Sequence, residues 1–377
     1  MALKREEFPV AEDYAYFQHC AVSALPRRTR ERINQLTEEM MHSGCLKEGE
    51  WINAIKGVRN LAADILGVAS DRVGFVTSTS HGLSWVAESL PLSEGDEVLI
   101  PDVEFPANRF PWQNLERKGV SFRTLATEDG AFYESDVREA LREETSVLAL
   151  SSVQFRNGFR CDLEAIGSLC HDRDVHFVVD GIQSIGWDNL DLHSLPVDAM
   201  AADAHKWLCG PEGVGLLYLD RTFQKELEPA MVGWQSVKDP WQFSEPDFDL
   251  KEDAAVVEMG SYNTIGLLAM GKSLELLKDA GIQSVWAHNL DLKEQLTEEL
   301  RRRSFECSQT DWPRQNQSPI VSFNHPDLET SGLVESAEEY GIQMSVRSGR
   351  PRVALHLYNN RRDIDRLVEF LQREVSG

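Results

Sequence analysis

Long apolar runs are missing from this chain: none approaches the roughly 18 residues that a membrane-spanning helix needs. The opening MALKREEFPVAEDY is charged and lacks the apolar heart of a secretory leader. Basic charge is scarce as well, 38 Lys and Arg against 62 Asp and Glu, for a formal net charge of -24. So acidic a surface repels nucleic-acid phosphates and anionic bilayers, so neither nucleic acid nor membrane is an expected partner. A soluble, cytoplasmic protein with a small-molecule substrate is. The six cysteines, at positions 20, 45, 161, 170, 209 and 307, show no CxxC spacing. They are too sparse for a secreted disulfide scaffold, which leaves buried thiols and no metal site as the expectation. A dinucleotide fingerprint is also absent. GPEGVG, Gly210 to Gly215, has its glycines in the wrong order and leads into a strand, which argues against a nicotinamide enzyme.

What the chain does have is length and alternation. Its 377 residues, 42% hydrophobic, can fill a large domain and a smaller one. From about Glu50 onward, helical segments alternate with the short apolar runs RVGFVTS, DEVLIPD, VSFRTLA, SVLALSSV, VHFVVDG, AMAADAH and GVGLLYL. This pattern predicts an α/β domain with a mostly parallel central sheet and helices on both faces, whose ligands gather at the carboxyl ends of the strands. The expected division is an N-terminal segment over 1–20, a large α/β domain over 21–265, and a small C-terminal α+β domain over 266–377. KDPWQFSEPDFDLKEDA reads as an exposed loop. Gly266 to Ser273, GLLAMGKS, has P-loop spacing, but Leu267, Leu268, Ala269 and Met270 continue an apolar helical period. A core helix is expected there.

Three stretches carry chemistry. In RVGFVTSTSHGL an apolar strand ends in Thr77, Ser78, Thr79 and Ser80 directly before a helix. Free amides and the positive end of the helix favour an anion there, although the same hydroxyls could simply cap the helix. In VHFVVDGIQSIG a strand runs into Asp180, with Gln183 following; a carboxylate so placed is costly without a cation or good donors. In VDAMAADAHKWLCGPEGVG a later strand delivers His205 and Lys206 to what should be the same edge. An amine, an acid and a phosphate cradle together suit a pyridine cofactor carrying an aldehyde and a phosphate.

DGIQSIG followed by ADAHKWLCGPEGVGLLY resembles the class V branch of fold-type I pyridoxal-phosphate enzymes, which includes aminotransferases, cysteine desulfurases and isopenicillin N epimerase-like proteins. The resemblance spans nearly the whole chain, from YFQHCAVSALP to YNNRRDIDRLVEFL. It implies pyridoxal 5'-phosphate as cofactor, Lys206 as the Schiff-base lysine, Asp180 on the ring nitrogen and Gln183 on the ring hydroxyl. His205 and Thr79 with Ser80, flanked by Ser78, are implied at the phosphate, Phe105 in DVEFPANRFPW as the stacking ring, and Gln154 beside it. By the same resemblance Ser261 in VVEMGSYNTIG reaches a neighbouring subunit's phosphate, so a homodimer with shared sites is expected. Arg352 is the implied clamp for the substrate carboxylate, with Arg347 second; a bidentate guanidinium suits an amino-acid substrate.

Two departures from the desulfurase pattern bear on the reaction. Phe105 stands where desulfurases of this branch carry a histidine, and only SGRP separates Arg347 from Arg352, leaving no room for a mobile cysteine loop. Cys209 is a weak substitute and reads as a buried thiol. The sequence therefore ranks an aminotransferase first and a cysteine or cystine C-S lyase or an epimerase second. A cofactor-binding regulator without catalysis stays open.

Overall fold

The computed structural model describes residues 3–309 and 311–376. In chain order its strands are β1 (Ala15–Tyr16), β2 (Val73–Val76), β3 (Glu97–Pro101), β4 (Ser121–Leu125), β5 (Thr145–Ser151), β6 (His176–Asp180), β7 (Ala199–Asp203) and β8 (Gly215–Leu219), followed by β9 (Glu306–Cys307), β10 (Ile320–Asn324), β11 (Ile342–Gln343), β12 (Ser345–Arg347) and β13 (Arg350–Ala354). The seven apolar runs of the sequence become β2 to β8, which form one sheet in the order β2-β8-β7-β6-β5-β3-β4. Only β8 runs against its neighbours.

Because helices cover both faces, the inner strands are apolar without interruption. Alternate residues feed opposite cores. Phe177 and Val179 pack with Trp51, Ile55 and Leu267, whereas Val178 packs with Leu83, Trp85 and Trp112. The edge strand β4 keeps Ser121 and Thr124 exposed. Gly82 lets the helix Thr79–Ser89 lie close on the sheet, since a Cβ there would stand 2.9 Å from the Ala201 Cβ.

The P-loop-like stretch lies inside the helix Thr264–Ala280, with Leu267, Leu268, Ala269 and Met270 all buried. That helix packs on the helices Arg27–Ser43 and Glu48–Leu66, so by contact it sides with the large sheet. The small domain is built on the sheet β12-β13-β10-β9 and the helices Ile282–Arg301 and Arg361–Ser376. Ile364, Leu367, Val368 and Leu371 give the last helix one apolar face, which closes a core with Phe323 and Val353. The chain's beginning joins that domain: β1 pairs with β11, and Gln18 bridges to Ala354. Among the described residues, no helix is long and apolar enough to cross a membrane.

Candidate active site

Strand register assembles the site at the carboxyl edge of the large sheet. Ser151, Asp180 and Ala201 are cross-strand partners in a row, and Asp203 and Val76 both face Gly215. The ends of β2, β6 and β7 therefore meet, as the crevice rule for parallel sheets requires. A single cleft at this edge is lined by Ser78, Thr79 and Ser80 on one side and by Asp180, His205 and Lys206 on the other.

Lys206 is held by its neighbours. Trp207 is fully buried, its Nε1 donates to Gln183 Oε1 at 2.8 Å, and its carbonyl lies 2.9 Å from His356 Nε2. The Ser23 amide donates to the His205 carbonyl at 2.7 Å, tying the N-terminal segment to the same turn. Burial pulls the Lys206 amine below its ordinary range, with Asp180 opposing that shift. The result is a lysine closer to its nucleophilic, neutral form than a surface lysine.

Asp180 is 1% exposed. Burial pushes it up to about 7, against a hydrogen bond from the Ile182 amide. Its Oδ1 accepts that amide at 3.0 Å, and no cation pairs with it among the described residues. A buried acid without a cation fits a partner that brings its own N-H, as a protonated pyridine nitrogen does.

At the opposite wall the amino end of the helix Thr79–Ser89 points free donors into the cleft. The Ser78 hydroxyl caps the helix by accepting the His81 amide at 3.1 Å, and Thr79 Oγ1 accepts the Asp203 amide at 3.0 Å. Thr79 keeps its hydroxyl proton to donate, and Ser80 is exposed in the cleft. His205 Nδ1 and Asp203 Oδ1 lie 2.8 Å apart, poorly aligned, so neither atom has a well-directed partner. This end fits a phosphate.

Phe105, 44% exposed, lines the same cleft, and its ring centroid is 5.7 Å from Lys206 Nζ. Phe155 meets it edge-on at 5.2 Å. Arg352 is 1% exposed yet has no acidic partner among the described residues. Its Nη1 donates to the Phe155 carbonyl, and its Nε to Ser345 Oγ at 3.3 Å. Burial lowers its ordinary pKa. Such a guanidinium calls for an anion. Arg352 sits mid-strand in β13 and not at its start, and Arg347 lies exposed at the rim of the same cleft.

Two residues expected beside the cofactor stand elsewhere. Gln183 spends both ends of its amide, accepting from Trp207 and donating to the Cys20 carbonyl at 3.0 Å. Gln154 is buried behind the cleft and donates to Glu104 Oε1 at 2.6 Å. Ser261, expected at a neighbouring subunit's phosphate and not at this chain's own, is exposed and outside this cleft. Cys209 is buried, its thiol pushed up to about 12 by burial. The cleft instead contains two polar residues the sequence did not single out. Asp203 ends β7 one position after an unbroken apolar run, a legible signal; Cys20 has none, because its place depends on β1 pairing with the far end of the chain.

A lysine, a buried acid and a helix-end anion cradle at the carboxyl edge of a doubly covered sheet define a cofactor-dependent enzyme of amine chemistry. A sequence profile described as Aminotransferase class-V matches residues 15–367. The chain belongs to the class V aminotransferase family, whose cofactor is pyridoxal 5'-phosphate. A protein named probable cysteine desulfurase from Methanothermobacter thermautotrophicus is 26% identical, with 99% of this chain and 97% of that one covered. An apo cysteine desulfurase structure from Thermococcus onnurineus superposes with a TM-score of 0.89 at 22% identity, covering 100% of this chain and 99% of that one. A complex of the cystine C-S lyase C-DES with its product cysteine persulfide gives a TM-score of 0.89 at 23% identity, covering 97% and 98%.

Proposed function

We propose that this protein is a pyridoxal-phosphate-dependent enzyme that breaks the Cβ-S bond of a sulfur amino acid, cysteine or cystine. One observation carries the reading: Lys206, the unpaired acid Asp180 and the unpaired cation Arg352 share one cleft. An amino-acid substrate satisfies all three once the cofactor is present. Sulfur chemistry is favoured over the transamination ranked first from sequence because relatives matching 99% of the chain are named for it.

The cofactor, when bound, supplies an electron sink for charge developing at the substrate's α-carbon. Asp180 would pair with the ring nitrogen and keep it protonated. The hydroxyls of Thr79 and Ser80 and the amides at the helix end, with His205, would hold the phosphate. Phe105 would pack against the cofactor in the same cleft. Arg352 takes the substrate carboxylate with its rigid fork and fixes which α-substituent faces the base. Lys206, whose amine burial pulls below its ordinary range, would take the α-proton and return it.

The hairpin that carries Arg352 is too tight to deliver a catalytic thiol from a mobile loop. Arg347 pairs with Arg350 across Ser348 and Gly349 alone, and both turn residues have positive φ, 51° and 74°, the geometry of a two-residue hairpin turn. The test is product analysis of the purified holoprotein given cysteine and then cystine, with Lys206→Ala as control. Release of sulfide or persulfide sulfur with alanine or pyruvate, lost in the control, supports the reading. A keto acid formed together with a pyridoxamine spectrum, and no sulfur release, replaces it with transamination.

A further inference from the structure

A second cavity, of about 350 Å³, lies at the other edge of the large sheet from the cofactor cleft. Leu219, the last residue of β8, faces Ala199, the first of β7, so the helix Arg221–Gln224 that follows β8 stands at the amino edge, and its two end residues line this cavity. Part of the lining is apolar: Trp85, Leu227 and Val256 are buried there, and Leu250 is half-buried. Backbone carbonyls tie down the walls on both sides. Trp85 Nε1 donates to the Met231 carbonyl at 3.2 Å, the Glu228 amide to the Ser89 carbonyl at 2.7 Å, and the Lys251 amide to the Ser236 carbonyl at 2.9 Å. The cavity is therefore formed before any ligand arrives.

Its polar lining offers donors, and the acids around them are already engaged. Gln224 Oε1 accepts Arg72 Nη1 at 2.8 Å, which leaves the NH2 as the free end of that amide. Lys225 and Lys251 have no hydrogen-bond or ion-pair partner for their ammonium groups among the described residues. Arg221 shares Asp71 with Arg72, two guanidinium groups on one carboxylate. Glu252, the one acid in the lining, is held by Lys238 Nζ at 2.7 Å. Burial pulls the Lys251 ammonium below its ordinary range, with Glu258 and Asp253 opposing that shift, but Arg59 takes both oxygens of Glu258 at 2.6 and 2.9 Å. Arg221, Lys225 and Lys251 against Glu252 alone reverse the sign of a chain whose net charge is -24. Apolar surface beside donors that lack acceptors matches a ligand with an apolar body and one anionic end.

We propose that this cavity is a second ligand site, for a small organic carboxylate with an aryl or branched aliphatic body. Lys251 and Lys225, with the Gln224 NH2, take the carboxylate, and the body lies against Trp85, Leu227 and Val256. The site is separate from the cofactor cleft and does not depend on the reaction proposed above. The two share the helix Thr79–Ser89, with Thr79 and Ser80 in the cleft and Trp85 in the cavity.

The test is calorimetric titration of the holoprotein with phenylacetate, using benzylamine and inorganic phosphate as controls. Arg352→Ala is run alongside, because Arg352 can also hold a carboxylate. The expected result is a saturable event with phenylacetate that persists in Arg352→Ala, weakens roughly tenfold in Lys251→Met and weakens less in Lys225→Gln. Benzylamine should give no such event, and phosphate should bind more weakly than phenylacetate. Lys225 is exposed, so Lys225→Gln reports on the site even where Lys251→Met fails to fold. Unchanged affinity in either folded variant, loss of the event in Arg352→Ala, or equal binding of benzylamine overturns the proposal. Tighter binding of phosphate, or no saturable event with phenylacetate, overturns it as well.

Discussion

Gln183 joins the lysine turn to the N-terminal segment: its Oε1 accepts Trp207 Nε1 at 2.8 Å while its Nε2 donates to the Cys20 carbonyl at 3.0 Å. The amide that the family resemblance would place on the cofactor's ring hydroxyl is thus a brace between Lys206 and Cys20. Gln183→Leu leaves a buried indole N-H and a buried carbonyl unpaired, which costs about 1 to 3 kcal/mol for each. Thermal unfolding of the cofactor-free variant should show a clear loss. Unchanged stability together with lost cofactor affinity would return Gln183 to the ring.

Arg352→Ala removes the buried cation that has no protein counterion. The expected effect is on substrate binding, about 2 to 5 kcal/mol, with the cofactor's absorption intact. Arg352→Lys should recover little, because a single ammonium cannot reproduce the two-pronged contact. Titration of the holoprotein's spectrum with cysteine reads both; an unchanged apparent affinity in Arg352→Ala moves the clamp, with Arg347 next in line.

Asp180 gives the cofactor-free protein a pH signature. Its folded value, raised to about 7 from 3.8, means that the native chain holds a proton the unfolded chain has lost between those values. Its contribution to stability is therefore present at low pH and falls as pH rises through that window. Asp180→Asn should stabilise the cofactor-free protein above about pH 7 by on the order of a few kcal/mol and abolish turnover of the holoprotein. Urea midpoints of the two proteins at both ends of the window check this; a destabilised variant at high pH would contradict it.

His19 and His356 work in the opposite direction. Burial lowers His356 to about 3 and holds His19 well below its ordinary 6.5. The unfolded chain binds protons at both near 6.5 and the folded chain does not, so the stability they contribute is complete above that value and drains as pH falls toward 3. One such histidine contributes a slope of about 1.4 kcal/mol per pH unit. His356→Gln should flatten the acid limb of a stability-pH curve, and equal slopes in both proteins would show that His356 already titrates in the native state.

The parts of this molecule legible in its sequence share a physical cause. Strands buried on both faces must be apolar throughout, so β2 to β8 stand out as seven runs, and polar residues at their ends, Asp180 and Lys206 among them, mark the edge where a ligand sits. The apolar period through Leu267 to Met270 likewise identifies a core helix where glycine spacing alone suggests a phosphate loop. Side-chain direction is not written in this way. Whether Gln183 and Gln154 face the cleft depends on Trp207, Cys20 and Glu104, partners distant in sequence, and the arrival of Cys20 at the site depends on β1 pairing with β11.

On the proposed function, Lys206 carries the cofactor in the cleft it shares with Asp180 and Arg352. Borohydride reduction of the holoprotein followed by peptide mass mapping locates the attachment. A pyridoxyl group on the peptide containing Lys206, absent from Lys206→Ala, is the predicted result. A pyridoxyl group on a different lysine, or none in a protein saturated with pyridoxal phosphate, would contradict it.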